Sequence, residues 1–181
     1  MNRWTIFDHL LPQRCPLCHD HAHGLCRRCS DDLPRNAHAC SACALPLPPG
    51  SAAGTLCGAC QRRRPAYDHV VAPLLYLSPV DDLVARFKYH DRLDLGRVLA
   101  TELLTAAVAS GYRPDILLAV PMDAAGTRKR GFNQAAELAR WLARGLDLPW
   151  STSVLRRQGH SLHQRGLGRS ERRRNLRGAF A

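Results

Sequence analysis

No cysteine follows Cys60 in this chain of 181 residues, and all eight lie between Cys15 and Cys60. Thiolate chemistry therefore belongs to the first third alone. Acids are scarce: 15 Asp and Glu stand against 26 Lys and Arg, a formal charge of +11. The surplus fits a polyanionic partner, whether DNA, RNA or a phosphorylated small molecule, or a well-solvated arginine-rich surface. Aromatics make up only 6% of the chain. Few fall in the basic segments, so a nucleic acid held there would be gripped by its backbone rather than by base stacking. No apolar run approaches the length of about 20 residues that a membrane helix needs. The first residues, MNRWTIFDHLLPQRC, are interrupted by Asp8 and His9 and lead to no small-residue cleavage site. With no low-complexity block either, these absences predict a folded, cytoplasmic protein without membrane insertion.

The cysteines that are present come as four CxxC pairs: Cys15/Cys18, Cys26/Cys29, Cys40/Cys43 and Cys57/Cys60. A CxxC turn points two thiolates to one side, and two such knuckles close a tetrahedral shell around Zn²⁺. A redox dithiol expects one CxxC beside a βαβ pattern, and disulfides expect an oxidising compartment, so neither fits. An iron–sulfur cluster is the main competitor to two zinc ions. Sequential closure joins Cys15, Cys18, Cys26 and Cys29 in one shell and Cys40, Cys43, Cys57 and Cys60 in the other, with loops of seven and thirteen residues between knuckles. Spacing leaves an interleaved pairing open. His19, His21, His23 and His38 lie nearby, but eight thiolates already complete two shells, so these read as loop residues. Both shells are closed, which points to a structural role. Pro46, Pro48, Pro49, Gly50, Ser51 and Gly54 mark a loop inside the second ribbon, and Arg62 to Pro65 an exit. The expected division is a double zinc-ribbon module over 1–64 and a second domain over 65–181.

In that second domain, 70–77 is an apolar, partly β-branched run that predicts a strand. Residues 79–90 predict a helix with Val80, Leu83, Val84 and Phe87 on one face and Asp81 and Asp82 in the first turn. A longer helix is expected over 95–109, stopped by Gly111, with Leu95, Val98, Leu99, Leu103 and Ala106 toward the core. Residues 116–120 read as a strand buried on both faces, followed by a basic loop, a helix over 133–146 and a strand over 151–155. The order gives a βαβ unit and an α/β domain, in which ligands gather beyond the carboxyl ends of the strands.

The loop after Val120 carries a specific likeness. Val120-Pro121-Met122 through Arg128-Lys129-Arg130-Gly131-Phe132-Asn133-Gln134 resembles the VP…RGFNQ motif of the ComF family. Phe87-Lys88-Tyr89 resembles that family's FKY element. Ser161 to Gln164 and the segment from Leu167 to Phe180 resemble its TxxQ…LxxxERxxNxxxAF segment, with Ser161 in place of threonine. The resemblance implies an N-terminal double zinc ribbon followed by a type I phosphoribosyltransferase-like parallel-sheet domain. It further implies a role in DNA uptake, with competence helicase and recombination-mediator proteins as partners. It also implies a later strand ending in a DDxxTTG-type loop for phosphoribosyl pyrophosphate, and no such motif occurs here. The chain thus reads as an incomplete, C-terminally truncated member of the family, its sheet short of strands.

Two functions follow as expectations. Arg128, Lys129, Arg130, Gly131, Asn133 and Gln134 offer cations, a glycine and amides at a helix start, where anions bind well; the alternative is that Asn133 only caps the helix. Residues 156–177 hold eight arginines against one acid, Glu171. Resemblance places this stretch as a hood over the site, with Arg172, Arg173 and Arg174 as phosphate contacts. The other reading is one exposed helical turn over 170–177. The binding hypothesis is single-stranded DNA held on a basic surface. The enzyme hypothesis is phosphoribosyl transfer from phosphoribosyl pyrophosphate with Mg²⁺, for which catalytic residues are not assigned.

Overall fold

The structure, a computed structural model, describes residues 14–122, 124–158 and 168–181. The resemblance at Ser161 to Gln164 lies outside them. The chain divides into two units, Met1–Tyr112 and Arg113–Ala181. The boundary expected at 64/65 falls inside the first unit.

Within the first unit, residues 14–62 build one small motif twice. Each begins with a knuckle: His19 N–H donates to Cys15 O at 2.9 Å, and Ala44 N–H to Cys40 O at 2.9 Å. The chain then doubles back, and single antiparallel bridges, Arg14↔His21 and Ala39↔Pro46, close each hairpin. In both copies the third cysteine starts a short helix. Cys26 precedes α1 (Arg27–Asp31) and Cys57 precedes α2 (Gly58–Arg62), with backbone angles of −68°/157° and −68°/158°. A helix start directs unpaired backbone N–H groups toward the sulfur beside it.

Two longer helices complete this unit, α3 (Val80–Tyr89) and α4 (Leu93–Ala109). The apolar spacing read from the sequence holds: Val80, Leu83 and Phe87 are buried from α3, and Leu95, Gly96, Val98 and Ala100 from α4. Leu99, Leu103 and Ala106 are half-buried. The pair packs closely where Phe87 lies over Gly96. A Cβ at Gly96 would fall well inside van der Waals contact of the Phe87 ring. Glycine there is a packing requirement rather than a turn signal.

The strand expected over 70–77 does not form. The segment makes one antiparallel bridge, Arg35↔Leu74, framed by Asn36 N–H to Pro73 O at 2.8 Å and Leu75 N–H to Pro34 O at 2.9 Å. Pro34 and Pro73 have no N–H to return, so the ladder stops after one rung.

The second unit holds a parallel pair, β1 (Leu117–Leu118) and β2 (Trp150–Ser151), in register Leu117↔Trp150 and Leu118↔Ser151. Between them run α5 (Ala124–Arg130) and α6 (Gln134–Leu146), and α6 packs on both strands. This is the expected βαβ order, with three corrections. The strand read at 151–155 starts one residue earlier and ends at Ser151, because Ser151 Oγ accepts the N–H groups of Ser153 and Val154 and turns the chain. The run 116–120 is not covered on both faces: Ile116, Leu118 and Val120 are exposed, while Ala119 is buried. The basic loop is helical, as its alanines, arginines and lysine favour, and it ends at Gly131 with φ +74°.

The C-terminal residues return beside the chain that leaves β2. Arg157 bridges Phe180, with Arg156 N–H to Ala181 O at 2.7 Å and Gln158 N–H to Ala179 O at 2.8 Å. Just before that return lies α7 (Arg169–Asn175). No described helix is long and apolar enough to cross a membrane.

Candidate metal centres and basic surface

The eight thiols gather into two groups: Cys15, Cys18, Cys26 and Cys29, and Cys40, Cys43, Cys57 and Cys60. Pairing is therefore sequential, the choice that spacing alone left open. Within each group the ligand atoms lie within 4.8 Å of one another. Cys18 Sγ is 3.6 Å from Cys26 Sγ, and Cys43 Sγ is 3.7 Å from Cys57 Sγ. A tetrahedron with Zn–S bonds of about 2.3 Å has sulfurs about 3.8 Å apart, so the spacing fits one zinc ion per group. It leaves no room for a multi-iron cluster. His19, His21 and His23 are exposed, and His38 Nε2 accepts the Gly50 N–H at 3.5 Å. No histidine joins either group among the described residues.

The electrostatics point the same way. In the first group burial raises the Cys15 thiol, but the backbone N–H groups of Cys18, Cys26 and Leu17 outweigh it and bring Cys15 down to about 6. Cys29 moves the other way, raised first by the Cys26 sulfur, then by burial and by the Cys18 and Cys15 sulfurs. In the second group the N–H groups of Cys57 and Cys43 bring Cys40 down to about 6. Cys60 is pushed up to about 12 by burial and by the sulfurs of Cys43, Cys57 and Cys40. The N–H dipoles thus accommodate some negative charge, and repulsion resists the rest. A divalent cation resolves that conflict, since zinc holds thiolates deprotonated.

The two shells differ in exposure. Cys40, Cys57 and Cys60 are buried with Ala42 in a small core that also packs Leu47 and Leu56. In the first group only Cys15 is buried, and Cys18 is exposed, with its Sγ 3.4 Å from Asp20 Oδ2.

Sequence reasoning missed the groups that secure the ribbons to their own unit. Ser30 Oγ donates to Glu102 Oε1 at 2.8 Å, and Arg35 Nη1 meets Glu102 Oε2 at 2.6 Å. Arg35 Nη2 also donates to Ser30 O at 2.7 Å. Asn36 Nδ2 donates to Ala44 O and Ala72 O, joining the second knuckle to the proline-bounded segment. These partners lie far apart in sequence and belong to no motif. His19 and Ala44, with φ of +66° and +55°, hold the left-handed position after each knuckle. Neither is the glycine that would have advertised it.

The anion-site candidates sit on separate elements. Arg128, Lys129 and Arg130 lie on α5, Gly131 ends it, and Asn133 and Gln134 begin α6. Both ends of the Asn133 amide are used: Oδ1 accepts the Ala135 N–H at 3.0 Å, and Nδ2 donates to Val120 O at 3.1 Å. It therefore caps the helix and ties it to the end of β1. Gln134 is buried, its Oε1 3.3 Å from Arg130 Nη1. Arg128 is exposed. Arg172, Arg173 and Arg174 lie on α7, which takes up most of the helical turn read at 170–177, and Arg172, Arg174 and the following Arg177 are exposed. Glu171 accepts the Gly168 N–H at 2.7 Å, capping α7.

Two four-thiol shells on a repeated knuckle define a double zinc ribbon protein, and residues 6–61 match the double zinc ribbon domain family. The likeness extends well beyond the ribbons. The chain is 32% identical over 178 residues to Competence protein F of Haemophilus influenzae, covering 93% of this chain and 76% of that one. It is 31% identical to the DNA utilization protein YhgH of Salmonella typhimurium and 30% to that of Escherichia coli K12, each over 172 residues, 92% of this chain and 74% of theirs. The chain belongs to the ComF family of competence proteins. No solved structure matches it.

Proposed function

We propose that this protein acts in DNA uptake during natural transformation, holding single-stranded DNA by its phosphates on an arginine-rich surface. The observation that carries the reading is similarity along more than nine tenths of the chain to proteins named for competence and DNA utilization. The charge of +11 and the exposed arginines of α7 support it. Arginine forks suit phosphate oxygens. Glu171, the one acid of residues 156–177, is engaged at Gly168 N–H. All four tyrosines are exposed, but they lie at positions 67, 76, 89 and 112, outside the basic segments. Backbone contact dominates, through Arg128, Lys129, Arg130, Arg172, Arg173 and Arg174, with Gly131, Asn133 and Gln134 forming the corner between α5 and α6 beside the first three.

In this reading the zinc ions hold structure and do no chemistry, and residues 1–64 form the part whose folding depends on metal. The protein works in the cytoplasm, beside a helicase and a recombination mediator that receive the strand. A second reading gives the corner between α5 and α6 a phosphoribosyl ligand with Mg²⁺. What favours it is position, since α5 and the start of α6 follow the carboxyl end of β1.

Fluorescence anisotropy with a labelled single strand separates the two. Saturable binding of the zinc-loaded chain to the strand, unaffected by phosphoribosyl pyrophosphate with Mg²⁺, supports the first. Failure to bind DNA under low salt, with saturable binding of the pyrophosphate, would overturn it in favour of the second.

A further inference from the structure

The two zinc shells have the same ligands and different surroundings, and from this we infer that the first is an oxidant-labile site controlling how its ribbon is held. The inference rests on zinc filling both groups. Cys18 is exposed at the first shell, whereas three of the four cysteines of the second are buried beside Ala42, Leu47 and Leu56. Access governs which thiolate an oxidant reaches.

The chemistry needs only a peroxide. The Cys18 thiolate attacks one peroxide oxygen, the O–O bond breaks, and hydroxide leaves, giving a sulfenic acid. Cys26 Sγ, 3.6 Å away, then attacks the Cys18 sulfur and expels a second hydroxide. Two thiolates and one hydrogen peroxide become one disulfide and two hydroxide ions, and zinc is released with two of its four ligands lost.

The structural consequence runs through α1. Cys26 is the residue just before this helix and Cys29 lies within it, next to Ser30, whose Oγ donates to Glu102. Five residues do not hold a helix without outside support. Loss of the first zinc therefore frees Ser30 and weakens the Ser30–Arg35–Glu102 link to α4, while the second ribbon stays closed. The first site works as a release catch between ribbon and helix pair, and reductant with zinc resets it.

The test uses the full zinc-loaded chain and graded hydrogen peroxide. Zinc release is followed with a chromogenic chelator, and the oxidised cysteines are mapped by differential alkylation and mass spectrometry. The expected result is two phases, the first roughly tenfold or more faster, with a Cys18–Cys26 disulfide while Cys40, Cys43, Cys57 and Cys60 remain reduced. Hydrogen exchange in that intermediate should rise over 27–31 and around Glu102. Release of both ions in one phase, or oxidation of the second group first, would overturn the proposal. So would unchanged exchange around Glu102 after the first ion has gone.

Discussion

Ala44 and Gly96 show how much single positions carry in this fold. Ala44 holds a left-handed backbone after the second knuckle, a conformation that costs an L-residue about 1–2 kcal/mol. Glycine escapes that cost and gives back part of it as unfolded-state entropy. Ala44→Gly should therefore stabilise the zinc-loaded chain by about 0.5–1 kcal/mol, seen as a higher urea midpoint at unchanged slope. A lower midpoint would contradict the strained reading. Gly96 is the opposite case. Helix propensity alone would reward alanine by about 1 kcal/mol, but the added methyl meets the fully buried Phe87 ring. Overpacking of a core costs typically about 1–3 kcal/mol. Gly96→Ala should lower the thermal midpoint, and an unchanged or raised midpoint would show that the helix pair yields more readily than its packing suggests. Neither position was legible in the sequence. Ala44 carries no glycine to mark its turn, and Gly96 looks like a weak point in a helical pattern until the ring above it is seen. The eight cysteines were legible because a knuckle is local, whereas their pairing depends on where two distant knuckles meet.

At the scale of elements, legibility follows periodicity and fails where side chains or prolines intervene. The helices α3, α4 and α6 could be read because their apolar residues recur at helical spacing over ten residues or more. Strands were overestimated, since apolar content does not reveal that Pro34 and Pro73 end one ladder or that Ser151 Oγ turns another. The link between ribbon and helix pair was invisible, because Arg35 and Glu102 are 67 residues apart. That link can be measured. The Glu102 side chain is only 11% exposed, so its carboxylate is largely withdrawn from water, whereas Arg35 at 40% keeps some solvent contact. A double-mutant cycle of Arg35→Ala and Glu102→Ala should give a coupling of about 1 kcal/mol in unfolding free energy. Additive losses would mean that the pair merely sits together. Glu102→Gln, which keeps a hydrogen-bond acceptor for Ser30 Oγ, should cost less than Glu102→Ala.

For the whole molecule, two four-cysteine ribbons share one chain with a formal charge of +11, a surplus that suits a polyanion. The ribbons were readable from cysteine spacing alone, and the family from motifs spread along the chain. Burial was not. The sheet run expected to be covered on both faces leaves Ile116, Leu118 and Val120 exposed, since local hydrophobicity does not say whether a second layer covers it. If α7 grips the phosphate backbone, single-strand binding must depend on salt through its arginines. Each phosphate neutralised should contribute about 0.7 to the slope of log affinity against log salt. The zinc-loaded chain should lose affinity steeply as salt rises. The Arg172→Glu, Arg174→Glu double variant should bind more weakly at every salt concentration, with a shallower slope, at unchanged zinc content and melting temperature. If both chains bind alike with the same slope, α7 is not the grip.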